Sequence, residues 1–409
     1  MIKIARKGAV VASASLALCL AAAACSSSSS SSAAAGGTSS PTSSSSGVNV
    51  SISVAQFDRT LSAMSALKPL TAAGKGNVAV ILPDTVSSAR YTQFDAPYLT
   101  QALTKAGLST SQFTVQNAQG SDATELSDAQ TAITKGASVL IMDPLDSGVG
   151  AQIESYAKAH GVGVVDYDRL TLGGSRAYYV SFNNVLVGTK IGQGFTACAA
   201  AWHVAKPNVL VMKGAPTDNN ATLFAQGYDA VLAPFFSSGK YVKVGSAAGT
   251  WDPPTALSEF QQQFTAHKSI NSVLTPNDEN AAPIIHYLQT KGVKAKTFPV
   301  TGQDATTVGL QNILSGYQCG TVYKPIYLEA QAAVALAMFI RANKTPPSSL
   351  VNGTTQDSKA NVAVPSVLLQ PTWVTTTNMA STVIADKFVT VGQLCVGQYA
   401  TLCKTAGIS

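Results

Sequence analysis

Several short clusters in this chain place ionised groups beside amides and aromatic rings. They are Arg90-Tyr91, Asp168-Arg169, Asp218-Asn219-Asn220, Trp251-Asp252, Asn277-Asp278, Gln303-Asp304 and Tyr323-Lys324. Such planar groups donate or accept in pairs, and a hydroxyl can accept from one while donating to another. With aromatic rings to cover C–H faces, the set suits a neutral polyol. The pair Asp168 and Asp304 could instead be read as the two carboxylates of a glycoside hydrolase. Against this, Arg169 would hold Asp168 ionised, and nothing marks either residue as a raised acid. No catalytic residue is therefore expected, and the chain reads as a binder rather than an enzyme. No Cys/His spacing suits a metal, no Walker A motif is present, and no cofactor is called for.

Each cluster also has a plainer reading. Asp168-Arg169 could be a surface ion pair, Trp251 a core aromatic and Lys324 a solvated lysine. Asp218-Asn219-Asn220 could be an N-cap in which Asn219 or Asn220 serves the backbone. Tyr178, Tyr179, Phe182 and Asp278 read as hinge packing and loop structure. His160, His203, His267 and His286 lie off the clusters and read as surface residues.

The clusters gain meaning from the elements before them. Apolar, β-branched runs occur at 77–82, 113–117, 138–142 and 162–166, and again, after 178–182, at 208–212, 241–245, 272–276 and 298–302. Helical stretches separate them. One carries Leu126, Ala129, Ala132 and Ile133 on a face, another Val149, Ile153 and Ala157. Strands alternating with single helices form parallel sheets covered on both faces. Two such series predict an α/β chain of two doubly wound, Rossmann-like lobes. Ligands of these sheets sit at the carboxyl ends of the strands, where the polar clusters fall.

The start of the chain is an address. Lys3, Arg6 and Lys7 precede an apolar run from Gly8 to about Ala24, the layout of a secretory signal peptide rather than of a longer membrane span. The run ends Leu20-Ala21-Ala22-Ala23-Ala24-Cys25, which resembles a bacterial lipobox with Ala22 where leucine is usual. Ordinary cleavage after the alanines is the other reading. Ser/Gly/Ala/Thr then continue to about Gly47, too polar to fold and suited to a tether. The formal charge is +6. Half of that excess lies before Cys25, and no Lys/Arg run follows, so nucleic acid is not an expected partner. Only 12% of residues are charged and 46% are hydrophobic, enough for a large core. Cys395 and Cys403 are spaced for a local disulfide in an oxidising compartment. Cys198 and Cys319 are either a second pair or two buried thiols.

At the polar clusters the chain resembles the type I periplasmic binding proteins of sugar ABC importers, the D-xylose-binding branch in particular. The matching segments are Pro83-Asp84-Thr85 with Ser88-Ala89-Arg90-Tyr91, Tyr167-Asp168-Arg169, and Tyr179-Val180-Ser181-Phe182-Asn183-Asn184. Pro216 to Ala221 with Leu223-Phe224, Asn277-Asp278, Thr301 to Ala305 and Thr321 to Pro325 follow in order. The resemblance implies that Arg90, Tyr91, Asp168, Arg169, Asn220, Trp251, Asn277, Asp304 and Lys324 contact a sugar. Tyr91, the Trp251-Asp252-Pro253 run and Glu279 depart from the branch pattern, at stacking groups and a loop. Sugar class is thereby better specified than pentose identity.

The resemblance further implies an extracytoplasmic lipoprotein, anchored through Cys25, that binds a monosaccharide as a monomer. It would hand that sugar, D-xylose first among candidates, to a permease driven by a separate ATPase. A receptor for a sensor kinase or chemoreceptor, or a site for ribose, arabinose or glucose, would share the pocket. The expected layout is a signal peptide (1–24), a lipid-anchored linker (25–47) and an N-terminal lobe (48–181, with 326–367). A C-terminal lobe (182–325) and a crossing strand with a disulfide-stapled tail (368–409) complete it. Replacing Asp168 or Arg90 by alanine should weaken sugar binding without lowering the stability of the empty protein.

Overall fold

In a computed structural model, residues 49–409 are described; the leader, Cys25 and the serine tract lie outside them. The first sheet takes in β1 (Asn77–Leu82), β2 (Phe113–Asn117), β3 (Ala137–Met142), β4 (Gly163–Tyr167) and β5 (Tyr178–Phe182). Their spatial order is β2-β1-β3-β4-β5, all parallel. That order is one of the two common doubly wound arrangements, with its switch point between β1 and β3. Side chains alternate across β1. Val78, Val80 and Leu82 join a core that includes Leu99, Leu103, Val334 and Met338. Ala79 and Ile81 face Ala129, Ile133, Val149 and Ile153 on the other side. Burial on both faces explains why the run is apolar throughout rather than alternating.

The second sheet repeats the plan with β6 (Asn208–Val211), β7 (Val242–Lys243) and β8 (Ser272–Leu274) in the order β7-β6-β8. Single parallel bridges, Val273 to Val300 and Gln303 to Val322, lead on to β9 (Thr321–Tyr323). The run at 298–302 is thus not the regular strand expected. Pro299 lacks an N–H and offers only its carbonyl, which accepts from the Val273 amide. The run at 241–245 shortens to an exposed two-residue edge for want of a second neighbour.

A hairpin that sequence periodicity did not reveal, β10 (Gly353–Asp357) and β11 (Val362–Leu369), extends the first sheet, β11 lying parallel to β5. β10 is Gly-Thr-Thr-Gln-Asp, with no apolar side chain, and the apolar run of β11 is interrupted by Pro365 and the buried Ser366. β12 (Thr372–Val374) then pairs with β9. The chain therefore passes between the two sheets three times: after β5, between β9 and the helix Ile326–Arg341, and between β11 and β12. The C-terminal tail braces these passages. Asp386 accepts from the hydroxyls of Tyr323 and Tyr327 at 2.9 and 3.1 Å, and Phe388 stacks on Phe94. Cys395 is bonded to Cys403, and Cys198 to Cys319. All four histidines are exposed.

The helices Asn184–Ala201 and Asn219–Ser237 cross at near contact because glycines leave room. A Cβ at Gly188 would stand 1.9 Å from the Phe224 carbonyl oxygen, and one at Gly227 2.2 Å from that of Val185. This crossing fixes Asn220 at the cleft. Gly188→Ala should destabilise the protein by at least about 3 kcal/mol, the upper end for overpacking. Urea unfolding would show it as a lower midpoint at unchanged slope.

Candidate functional site

The loops after the strands of both lobes converge on one cleft. Its lining includes all nine of the residues named above, together with Ser87, Ser88, Asp218, Phe224 and Gln303. The space between these side chains, solvent at the mouth included, is about 320 Å³.

Arg90 stands at the centre. Its Nε and Nη2 donate to the two oxygens of Asp95 at 2.9 and 2.8 Å. Nη2 also donates to Glu329 at 2.6 Å, and Nη1 donates to Asp168 at 2.8 Å. Four of five N–H groups are used, leaving one on Nη1. Tyr167 donates its hydroxyl to Asp95 and locks the arrangement from β4. Burial pushes the Glu329 carboxyl up to about 8 even beside Arg90.

Asp168 follows β4 with φ +56°, and Asp304 follows the Val300 segment with φ +87°. Both are non-glycine residues in the left-handed region, a conformation held only where the surroundings over-determine it. At Asp168 the surroundings are visible. Its amide donates to the Val180 carbonyl, and its carbonyl accepts from Tyr179 Oη and Asn220 Nδ2 at 2.8 and 3.0 Å. Burial drives its carboxyl up, but Arg90, Lys324 and Arg169 together outweigh that and hold it below the usual range. The main cation on Asp168 is thus Arg90, not its sequence neighbour Arg169. Arg169 turns away: Nη2 donates to the Tyr91 hydroxyl at 2.9 Å, and Nε lies 3.3 Å from Asp218. The surface-pair reading fails, since both residues are buried.

Lys324 Nζ is 3.0 Å from Asp304 and 4.0 Å from Asp168. Burial lowers its proton affinity, but the two carboxylates more than restore it, so the ammonium stays charged. Asp218 both caps the helix Asn219–Ser237, by accepting from the Asn220 amide, and accepts from Trp251 Nε1 at 3.0 Å. Capping therefore falls to Asp218 rather than to the asparagines, freeing Asn220 for the cleft. Asn277 caps the helix Asp278–Thr290. Trp251 lies edge-on to Phe224 and close over Gly214. Gln303 Oε1, a buried acceptor that lines the cleft, has no hydrogen-bond donor, and the near neighbour of Asp304 Oδ1 is the Lys324 ammonium.

The geometry is that of a receptacle. Residues 78–345 match the model of the periplasmic binding protein domain. The chain belongs to that family. A D-xylose-binding periplasmic protein of Escherichia coli strain K12 is 35% identical over 277 residues, 67% of this chain and 80% of that one. A multiple sugar-binding periplasmic receptor of Rhizobium radiobacter is 30% identical over 343 residues, 80% and 94% of the two chains. Among solved structures, a carbohydrate transporter solute binding protein of Chloroflexus aurantiacus, in complex with D-glucose, aligns with TM-score 0.69 and 28% identity. The alignment covers 77% of this chain and 97% of that one. As a periplasmic binding protein the chain is a binder and not an enzyme. Among the described residues no helix is long and apolar enough to cross a membrane, and no metal-ligand cluster occurs.

In sequence, Ser88 and Phe224 stand only inside matching segments and are not assigned to the cleft, and Ser87 and the Arg90 partners Asp95 and Glu329 are missed. Phe224 sits four residues after Asn220, hence on the same helix face. Glu329 is the lone acid in the apolar helix Ile326–Arg341, a signal that was available. The structure also corrects the expectation that Arg90 can be removed harmlessly. Breaking a buried ion pair costs about 3–5 kcal/mol because the partner charge stays buried. Arg90→Ala should therefore lower the unfolding temperature of the empty protein sharply. Asp168→Asn keeps shape, tolerates positive φ and leaves Arg90 paired with Asp95 and Glu329, so it should lower that temperature distinctly less. Thermal unfolding of both variants checks the contrast.

Proposed function

We propose that this protein is the extracytoplasmic substrate-binding component of a sugar ABC importer, and that it takes a monosaccharide, D-xylose first, into the cleft between its lobes. The observation that carries the reading is the balance of the lining: Arg90, Arg169 and Lys324 face Asp168, Asp218 and Asp304. Three cations against three carboxylates favour a neutral ligand over an anionic one. A sugar hydroxyl can accept from Lys324 or Arg90 while donating to Asp304 or Asp168. Tyr91, Phe224 and Trp251 supply the aromatic surface for its C–H faces.

Closure is the signal in this proposal. Ligand contacts from both lobes coexist only when the cleft is shut, so sugar shifts the open–closed equilibrium. A permease with its own ATPase then reads the shut form. The lobes are taken as 48–181 with 326–367 and as 182–325, and Cys25 as the lipid anchor of a monomer tethered beside its permease. The relatives that bind several sugars or glucose make a hexose the main competitor to xylose.

Titration calorimetry with D-xylose, D-ribose, L-arabinose and D-glucose tests the proposal. Binding of D-xylose at micromolar affinity or tighter, about −8 kcal/mol or better, is expected. Asp168→Asn should weaken it at least tenfold, about the 1.5–3 kcal/mol of one hydrogen bond to a charged group. Silence with every sugar would overturn the reading. Heat with glucose alone would keep the class and change the substrate.

A further inference from the structure

Glu279 does not line the cavity, yet it joins the two lobes. It stands in the first turn of the helix Asp278–Thr290 in one lobe. Its Oε1 accepts from the Ala89 amide at 3.0 Å and from Ser88 Oγ at 3.2 Å, both in the other lobe. Its Oε2 accepts from Asn277 Nδ2 at 3.2 Å. The helical segment starting at Arg90 has no side-chain cap of its own, and the only local substitute is a long contact from Ser88 Oγ to the Arg90 amide, 3.5 Å. The first amides of a helix need acceptors. Here one comes from 190 residues away in the chain.

We propose that Glu279 is an interlobe latch, a positioning residue that caps the opposite lobe's helix when the cleft shuts and so sets how long a ligand is held. The inference rests on the cleft being a binding site that opens and closes. The latch bonds exist in the shut form only; in the open form water replaces them. They therefore favour closure by their full differential strength. Because they form after encounter, they act on release rather than capture.

The charged groups facing Glu279 are Asp278, on its own helix, and Asp304; across the cleft it meets only Ser88 and a backbone amide. Burial first, then these two carboxylates, raise its proton affinity to about 8. An open-form Glu279 returned to water would titrate nearer the ordinary carboxylate value of about 4.3. The shut form then binds the proton more tightly, so closure strengthens as pH falls through about 8.

Stopped-flow release of the tightest-binding sugar tests the latch. Glu279→Ala should release it at least tenfold faster with an unchanged association rate and an unchanged unfolding temperature of the empty protein. Glu279→Gln, which keeps an acceptor for Ala89 and Ser88, should restore slow release. It should also abolish the several-fold slowing expected of the wild type between pH 9 and pH 6.5. Equal release from Glu279→Ala and wild type would overturn the latch, as would a matching loss of ligand-free stability. A wild-type protein that binds no sugar would overturn the transport reading instead. The latch is then decided without ligand at pH 6.5, where closure is favoured, by hydrogen exchange of the peptide Val86–Gln93. Faster exchange in Glu279→Ala, reversed in Glu279→Gln, supports it, and identical exchange refutes it.

Discussion

The cleft is organised around a buried guanidinium. Arg90 gathers Asp95, Glu329 and Asp168 from a neighbouring turn, a distant helix and the end of a strand. Burying a carboxylate without a cation costs several kcal/mol, so none of the three could sit where it does without Arg90. In turn, their fixed positions leave Arg90 one free N–H and leave Asp168 ionised. The polar groups of the first lobe are thus held in place before any ligand arrives, and closure brings the second lobe's groups up to them.

The complete lining requires both lobes. Parallel strands end on one side of each sheet, and the three passages of the chain turn those sides toward each other. Lys324, just beyond β9, bridges Asp304 and Asp168, carboxylates at the strand ends of the two lobes. Asn220 Nδ2 donates to the Asp168 carbonyl and its Oδ1 accepts from Asn184 Nδ2, so the end of the first lobe's sheet and the passage after β5 together hold a cleft residue of the second. The Gly188–Gly227 crossing beneath them leaves Asn220 little freedom.

Much of this was legible in sequence. β-Branched runs separated by single amphipathic helices specify parallel strands buried on both faces, and residues after such strands must face a crevice. The nine residues singled out share the cleft for that reason. What escaped was set by tertiary geometry. Asp95 and Glu329 become partners of Arg90 only after helix packing, and the true cation on Asp168 lies 78 residues away rather than next door. The hairpin β10–β11 escaped because β10 has no apolar side chain and Pro365 and Ser366 interrupt the apolar run of β11. The 298–302 run misled because periodicity does not register the missing donor of Pro299.

The bond between Cys198 and Cys319 spans 121 residues and encloses most of the second lobe in a covalent ring. Exposed loop tips are where proteases cut, and this ring contains the exposed turn at 237–240. A cut there leaves two fragments still joined through sulfur, with every backbone segment that feeds the cleft retained. A nicked molecule would therefore run as one piece until reduced, and such damage would be invisible by size alone.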